Sequence, residues 1–175
     1  MAAGPVNQLA KDSAQDGAEI HSPSQKSMAL VKHILEDARK RLAILDREAL
    51  VAEAASILSN PNTPLIVVCD SEGLAVGVVS KSNIIRALAG GNDNAVKMNM
   101  GDVMTNPVLS CHVEQVLKQV WDTLNASSLR SIPVIDASGR PQGIVHARDL
   151  ARALLSEVDE EELLLRDYVL GIGYQ

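Results

Sequence analysis

The chain repeats itself at an offset of 66 residues, and this constrains its fold more than any other feature. Laying residues 58–88 over 124–154 gives ten identical pairs in an ungapped window of 31. They are Leu58/Leu124, Ile66/Ile132, Val68/Val134, Asp70/Asp136, Gly73/Gly139, Gly77/Gly143, Val79/Val145, Arg86/Arg152, Ala87/Ala153 and Leu88/Leu154. Average residue usage would give roughly two. The matches include turn glycines in register, so the same supersecondary unit is built twice. One such unit leaves a face of its sheet wet, and two copies set face to face bury it.

Hydrophobic periodicity gives each copy the order β-α-β-β-α. A short strand (42–45; 108–111) precedes a helix (about 48–59; about 113–125) with Leu50, Ala54, Ile57 and Leu58, or Val116, Val120, Thr123 and Leu124, at helical spacing. A strand pair follows (65–69 with 75–79; 132–135 with 142–145), joined through Asp and Gly, which is a hairpin signal. A second helix closes each copy (about 81–89; about 147–156). The predicted fold class is therefore α/β in the α+β sense, with the two copies packed sheet to sheet about a pseudo-two-fold axis. Residues 1–26, polar and small, are predicted to be a flexible tail. The copies occupy 27–92 and 93–156, and 157–175 forms a further helix and tail. Asp159, Glu160, Glu161 and Glu162 are read as the start of that helix, where acids complement the dipole.

Composition narrows the function. A chain of 175 residues with 46% hydrophobic and 22% charged residues folds as an ordinary globule, with Leu, Val, Ile and Ala replacing the absent Phe. A net charge of −6 and 2% aromatic residues argue against binding nucleic acid by charge or stacking. No apolar run approaches the roughly 20 residues of a membrane span, and the first residues lack a secretory pattern; the expected location is cytoplasmic. Cys69 and Cys111 lie on predicted strands as buried thiols. The four histidines lack ligand spacing, so no metal site is expected. No paired carboxylates, activated nucleophile or Walker pattern is present, so the chain reads as a non-enzyme without catalytic residues.

The second copy resembles a cystathionine-β-synthase (CBS) domain. The resemblance rests on Val103-Met104-Thr105-Asn106-Pro107-Val108, on Ser131-Ile132-Pro133-Val134-Ile135-Asp136, and on Gly143-Ile144-Val145-His146-Ala147-Arg148-Asp149-Leu150. The first copy follows at Leu65-Ile66-Val67-Val68-Cys69-Asp70 and at Gly77-Val78-Val79-Ser80-Lys81-Ser82-Asn83, with Val31-Lys32-His33-Ile34-Leu35 standing at its start. The pair resembles a Bateman module over about 30–156. The resemblance implies a stand-alone regulatory module that needs no cofactor. It would take an adenosyl ligand (AMP, ADP, ATP, NAD or S-adenosylmethionine, with AMP or ATP foremost) in the clefts between the copies. It also implies a homodimer that signals to a separate partner protein. A ligand-free dimerising or scaffolding module is the alternative.

The family's ribose motif is Gly, two apolar residues, Thr or Ser, two variable residues, then Asp or Asn. Gly77, Ser80 and Asn83 match it. A hydroxyl and a carboxamide at a helix mouth suit ribose and phosphate. The same residues also read as a near capping box, and the residues alone leave both readings open. In the second copy Gly143 and Asp149 are present, but His146 replaces the hydroxyl. His146 would obstruct the site, donate to a phosphate, or simply point to solvent or bond the backbone. By the same resemblance Arg130 would clamp a phosphate held beside Ser80, and Arg148 would reach phosphate or pair with acids. Lys40, Arg41 and Leu42, and Asn106, Pro107 and Val108, would flank adenine. Ile66, Ile132 and Pro133 would add apolar contact besides their sheet packing.

Overall fold

The computed structural model describes residues 28–91 and 94–171. The tail predicted over 1–26 lies outside the described residues. A 3₁₀ turn (Val31–Ile34) leads into α1 (Leu35–Lys40), then β1 (Ile44–Asp46), α2 (Val51–Leu58), β2 (Leu65–Cys69), β3 (Ala75–Ser80) and α3 (Lys81–Ala89). The second copy runs from a 3₁₀ turn (Ala95–Lys97) through α4 (Met100–Val103), β4 (Cys111–His112), α5 (Leu117–Ala126), β5 (Ser131–Ile135), β6 (Pro141–His146) and α6 (Ala147–Gly171).

Each copy forms a three-stranded sheet, in the orders β1-β2-β3 and β4-β5-β6. The outer pair β1–β2 is parallel and β2–β3 antiparallel, and the second sheet repeats this pattern. The matched Asp and Gly residues explain the hairpins. Asp70 Oδ1 accepts the N–H of Glu72 (3.0 Å) and Leu74 (2.9 Å), and Asp136 Oδ1 accepts those of Ser138 (2.8 Å) and Arg140 (3.0 Å). Gly73 (φ +80°) and Gly139 (φ +86°) supply the left-handed backbone that a side chain resists.

β2 is buried along all five residues. Its alternation sends Ile66 and Val68 into the helical layer, with Val51, Ala54, Leu58 and Val79. Leu65, Val67 and Cys69 face the other way and meet Ile144 of β6, with Leu42, Ala75 and Val78 around them. That cluster is the seam between the sheets. A backbone bond from Ala75 N–H to the Gly139 carbonyl (3.0 Å) fastens it at one end.

The copies exchange their leading segments. Val31 and Ala38, which precede the first sheet, are buried in the core of the second with Leu117, Val120, Leu124, Ile132 and Leu150. Met100, which precedes the second sheet, is buried in the core of the first. The shared glycines make room for this exchange. A Cβ on Gly143 would lie 2.9 Å from both the backbone carbon and the Cβ of Ala38, and one on Gly77 would run into Met104, 2.7 Å from its Cγ. Val78 and Thr105 trade backbone bonds of 3.1 and 2.8 Å across the same crossing.

Three expectations need correction. The first strands are shorter and later than 42–45 and 108–111, starting at Ile44 and Cys111, because Leu42 is turned into the seam and the 106–110 segment runs along the cleft described below. The helix opening at Ala147 does not stop near 156 but continues to Gly171. Asp159, Glu160, Glu161 and Glu162 therefore lie in mid-helix rather than at a start; no Gly or Pro interrupts the chain there.

Candidate functional site between the copies

A cleft of about 430 Å³ opens between the copies. Arg47, Ala75 and Val76 line it from the first copy, and Met104, Asn106, Pro107, Val108, Ser110 and Ile135 from the second. The predicted Asn106, Pro107 and Val108 thus stand together on one wall. Arg47 brings a cation, while Val76, Pro107, Val108 and Ile135 supply flat apolar surface. Sequence reasoning passed over Arg47, Val76, Ser110 and Ile135. Strand alternation held the signal for Ile135, which points to the same side as Ser131 and Pro133.

The first motif lies beside this wall. Asn83 is only 8% exposed, and its polar atoms are engaged within the fold. Its Oδ1 accepts from the Ser80 N–H (3.1 Å) and the Ser80 hydroxyl (2.6 Å). Its amide donates to the Val103 carbonyl (2.9 Å) and to Thr105 Oγ1 (3.0 Å). Asn83 therefore ties the opening of α3 to the leading segment of the other copy, one residue before the cleft wall. This is a cap with a second tether added.

The second motif is held differently. Arg41, at the end of α1, forms a two-pronged pair with Asp149: Nη1 to Oδ2 at 2.7 Å and Nη2 to Oδ1 at 3.1 Å. Arg41 Nη1 also donates to the Asp37 carbonyl (3.2 Å). Under the 66-residue offset Asp149 corresponds to Asn83, and Asp37 to Val103. The guanidinium thus spans the gap that the Asn83 amide bridges alone. Two predicted site residues, one from the adenine-flanking set and one from the ribose motif, are brought together as an ion pair.

His146 caps α6. Its Nδ1 accepts the N–H of Arg148 at 3.1 Å, the backbone-bonding alternative among its expected roles. Burial pushes its pKa below the usual histidine value, and Arg41, Arg148 and Arg130 push the same way, against Asp149. Arg130 and Arg148 are exposed, and the Arg130 carbonyl accepts from the N–H of Ala147 (2.9 Å). Arg130 accordingly adds its charge beside the second motif. Lys40 is exposed and pairs with Asp37 (2.7 Å). Leu42 packs in the seam. Ile66 and Ile132 are buried beneath the helices, on the sheet face away from the seam, and Pro133 is buried opposite Ile144. None of these five lines the cleft.

Cys69 and Cys111 are buried free thiols, and burial pushes the Cys111 pKa up to about 12. Among the described residues, no group of three or more His, Cys, Asp or Glu side chains is placed to hold a metal ion. No helix among them is long and apolar enough to cross a membrane.

Comparison with known proteins adds three findings. The CBS domain family matches residues 31–90 and 100–156. An uncharacterised 17.7 kDa protein of Acidianus ambivalens is 28% identical over 118 residues, covering 67% of this chain and 70% of its own length. For other curated relatives the match spans only 22–25% of their length. Among solved structures, the CBS domain pair of protein MJ0100, in complex with 5′-methylthioadenosine and S-adenosyl-L-methionine, is 27% identical. It superposes with a TM-score of 0.62 over 74% of this chain and 98% of its own. CBSX2 in complex with AMP is 25% identical, with a TM-score of 0.61 over 73% and 96%.

Proposed function

This chain belongs to the CBS-domain family, carrying two copies of the domain, and from that premise we propose that it is a regulatory module that senses an adenosyl ligand in the cleft between them. The observation that carries the reading is the cleft itself, about 430 Å³ with Asn106, Pro107 and Val108 along one wall. Apolar faces at Val76, Pro107, Val108 and Ile135 suit a purine, and exposed backbone at 106–108 suits its polar edge. Arg47 suits a phosphate or carboxylate. Ser80 and Asn83 stand next to the wall, where a ribose would compete for Asn83 with Thr105 and Ser80. Such competition would loosen the tether between α3 and the leading segment of the second copy. A ligand that prefers the loosened arrangement would shift the angle between the copies. Structural relatives with 5′-methylthioadenosine, S-adenosylmethionine or AMP support the ligand class. AMP and ATP are the foremost candidates within it.

The reading is of a binding module rather than an enzyme, acting in the cytoplasm on a separate protein. Thermal melting with AMP, ADP, ATP, NAD and S-adenosylmethionine tests it. A ligand at 100-fold over its dissociation constant adds about 2.7 kcal/mol. At roughly 2–4 °C per kcal/mol this raises Tm by about 5–11 °C. An unmoved Tm with all five compounds at millimolar concentration refutes the proposal. That result would favour the scaffolding alternative, which has an observation of its own behind it. The polar groups of both motifs, Asn83 and Asp149, already find partners within the fold.

A further inference from the structure

The two leading segments correspond residue by residue until they reach the clefts, and there they part. Under the 66-residue offset Ala38 matches Met104, and each crosses the motif glycine of the opposite sheet, Gly143 or Gly77. α4 ends at Val103, and from Met104 the chain runs extended along the open cleft. α1 instead keeps its helix to Lys40, the counterpart of Asn106. Where Asn106, Pro107 and Val108 line the cleft, their counterparts all turn to partners within the chain. Lys40 pairs with Asp37, Arg41 pairs with Asp149, and Leu42 packs in the seam.

Arg41 sets one amino group on each oxygen of Asp149. A ribose meets a carboxylate in the same manner, with two neighbouring hydroxyls donating to its two oxygens. The guanidinium thus fills, from inside the chain, the acceptor positions a sugar would use. It fills them incompletely. Nη2 donates to Oδ1, but Nη1 meets Oδ2 as an ion pair without hydrogen-bond alignment. Ser131 Oγ, on the sheet face it shares with its cross-strand neighbour His146, is also buried without a hydrogen bond. Among the described residues these are the buried side-chain oxygens left so, and both stand at the second motif. Asn83, their counterpart in the first, is bonded at both its oxygen and its amide.

We propose that Arg41 is a latch that holds the second motif shut, so that each chain takes its ligand in the first cleft alone. The proposal rests on the reading of these clefts as adenosyl sites. A nucleoside reaching Asp149 must first part the ion pair, and its apparent affinity falls by the fraction of time the pair stands open. The diol is neutral and brings no charge to replace the guanidinium, so the carboxylate favours Arg41. Removing Arg41 frees Asp149 for the sugar, and Asp149→Asn breaks the pair while keeping a residue that the first motif itself uses.

Titration calorimetry of the full chain with AMP counts the sites. Wild type is expected to bind one AMP per chain. Arg41→Ala should bind a second, with affinity at that site raised about tenfold or more. The added event should vanish with 2′,3′-dideoxy-AMP, which lacks the hydroxyls that take the guanidinium's place. Val108→Trp, which fills the first cleft, should abolish the wild-type event and spare the added one. A cooperative melt by circular dichroism shows each variant folded; if Arg41→Ala is not, Asp149→Asn carries the test and should also gain a site. Two sites in wild type, or a single site in wild type and in the folded variants alike, overturns the latch and leaves the adenosyl reading standing. No site in wild type but one in Arg41→Ala keeps the latch and removes the reading of the first cleft. No binding by any of these proteins overturns both.

Discussion

Replacing Arg41 by Ala probes the contact that joins the end of α1 to the start of α6. The Asp149 side chain is 13% exposed and that of Arg41 27%, at distances of 2.7 and 3.1 Å. Two unit charges 4 Å apart attract by about 4 kcal/mol at an effective dielectric constant of 20, before desolvation is subtracted. Exposed pairs contribute about 0–1 kcal/mol, whereas removing one partner of a buried pair costs about 3–5 kcal/mol. Burial here lies between those cases, and the N-terminus of α6 partly compensates a carboxylate left alone. The expected loss is about 2 kcal/mol, or about 4–8 °C in Tm. Asp149→Asn should cost less, about 1 kcal/mol, because Arg41 is the more exposed partner and regains water. The double variant should lose less than the sum of the singles, with a coupling of about 1 kcal/mol. Urea unfolding of all four proteins supplies these values. A loss below about 0.5 kcal/mol for Arg41→Ala, or additive losses, would refute the argument that the pair fastens the leading helix to the second copy.

His146 should make stability depend on pH. Its folded-state pKa lies below the unfolded value near 6.5, so the unfolded chain binds the proton first. Its contribution is present above about pH 6.5 and is lost as pH falls through the folded pKa, because burial penalises the charged imidazole and protonated Nδ1 cannot accept from Arg148. His146→Asn keeps an acceptor at the helix start and should remove that part of the slope, read as urea midpoints at pH 7.5 and 5.5; an unchanged slope would show that the cap does not titrate. Gly143→Ala should cost about 1–3 kcal/mol, because its Cβ meets Ala38 backbone, which cannot swing aside. Gly77→Ala meets the Met104 side chain and should cost less in the same assay, and a reversed order would contradict the crossing geometry.

The repeat made much of this architecture legible. Asp70 with Gly73, and Asp136 with Gly139, marked hairpins that formed where expected, and α3 spans the predicted 81–89. Periodicity identifies which side of a helix is apolar but not which sheet receives it. Hence no pattern in the sequence told that Val31 and Ala38 cover the second sheet and Met100 the first. Near α6 the acidic run imitated a helix start, and only the lack of Gly or Pro at 150–162 hinted otherwise. The Arg41–Asp149 pair joins residues 108 apart, and no local pattern announces such a contact. Along the cleft wall stand residues 106–108, which the resemblance had named as flanking adenine, whereas Arg47 entered from a loop with no distinctive spacing.

The exchange of leading segments means that the boundary between repeats in the gene is not a seam in the protein. Scission near residues 92–93 would hand each fragment the helix that belongs over its sibling's sheet, leaving both with an open roof. Neither half is a self-sufficient piece to be borrowed, swapped or expressed alone. Mixed, the fragments hold what each other lacks, so two copies of one plan act as mutually dependent parts.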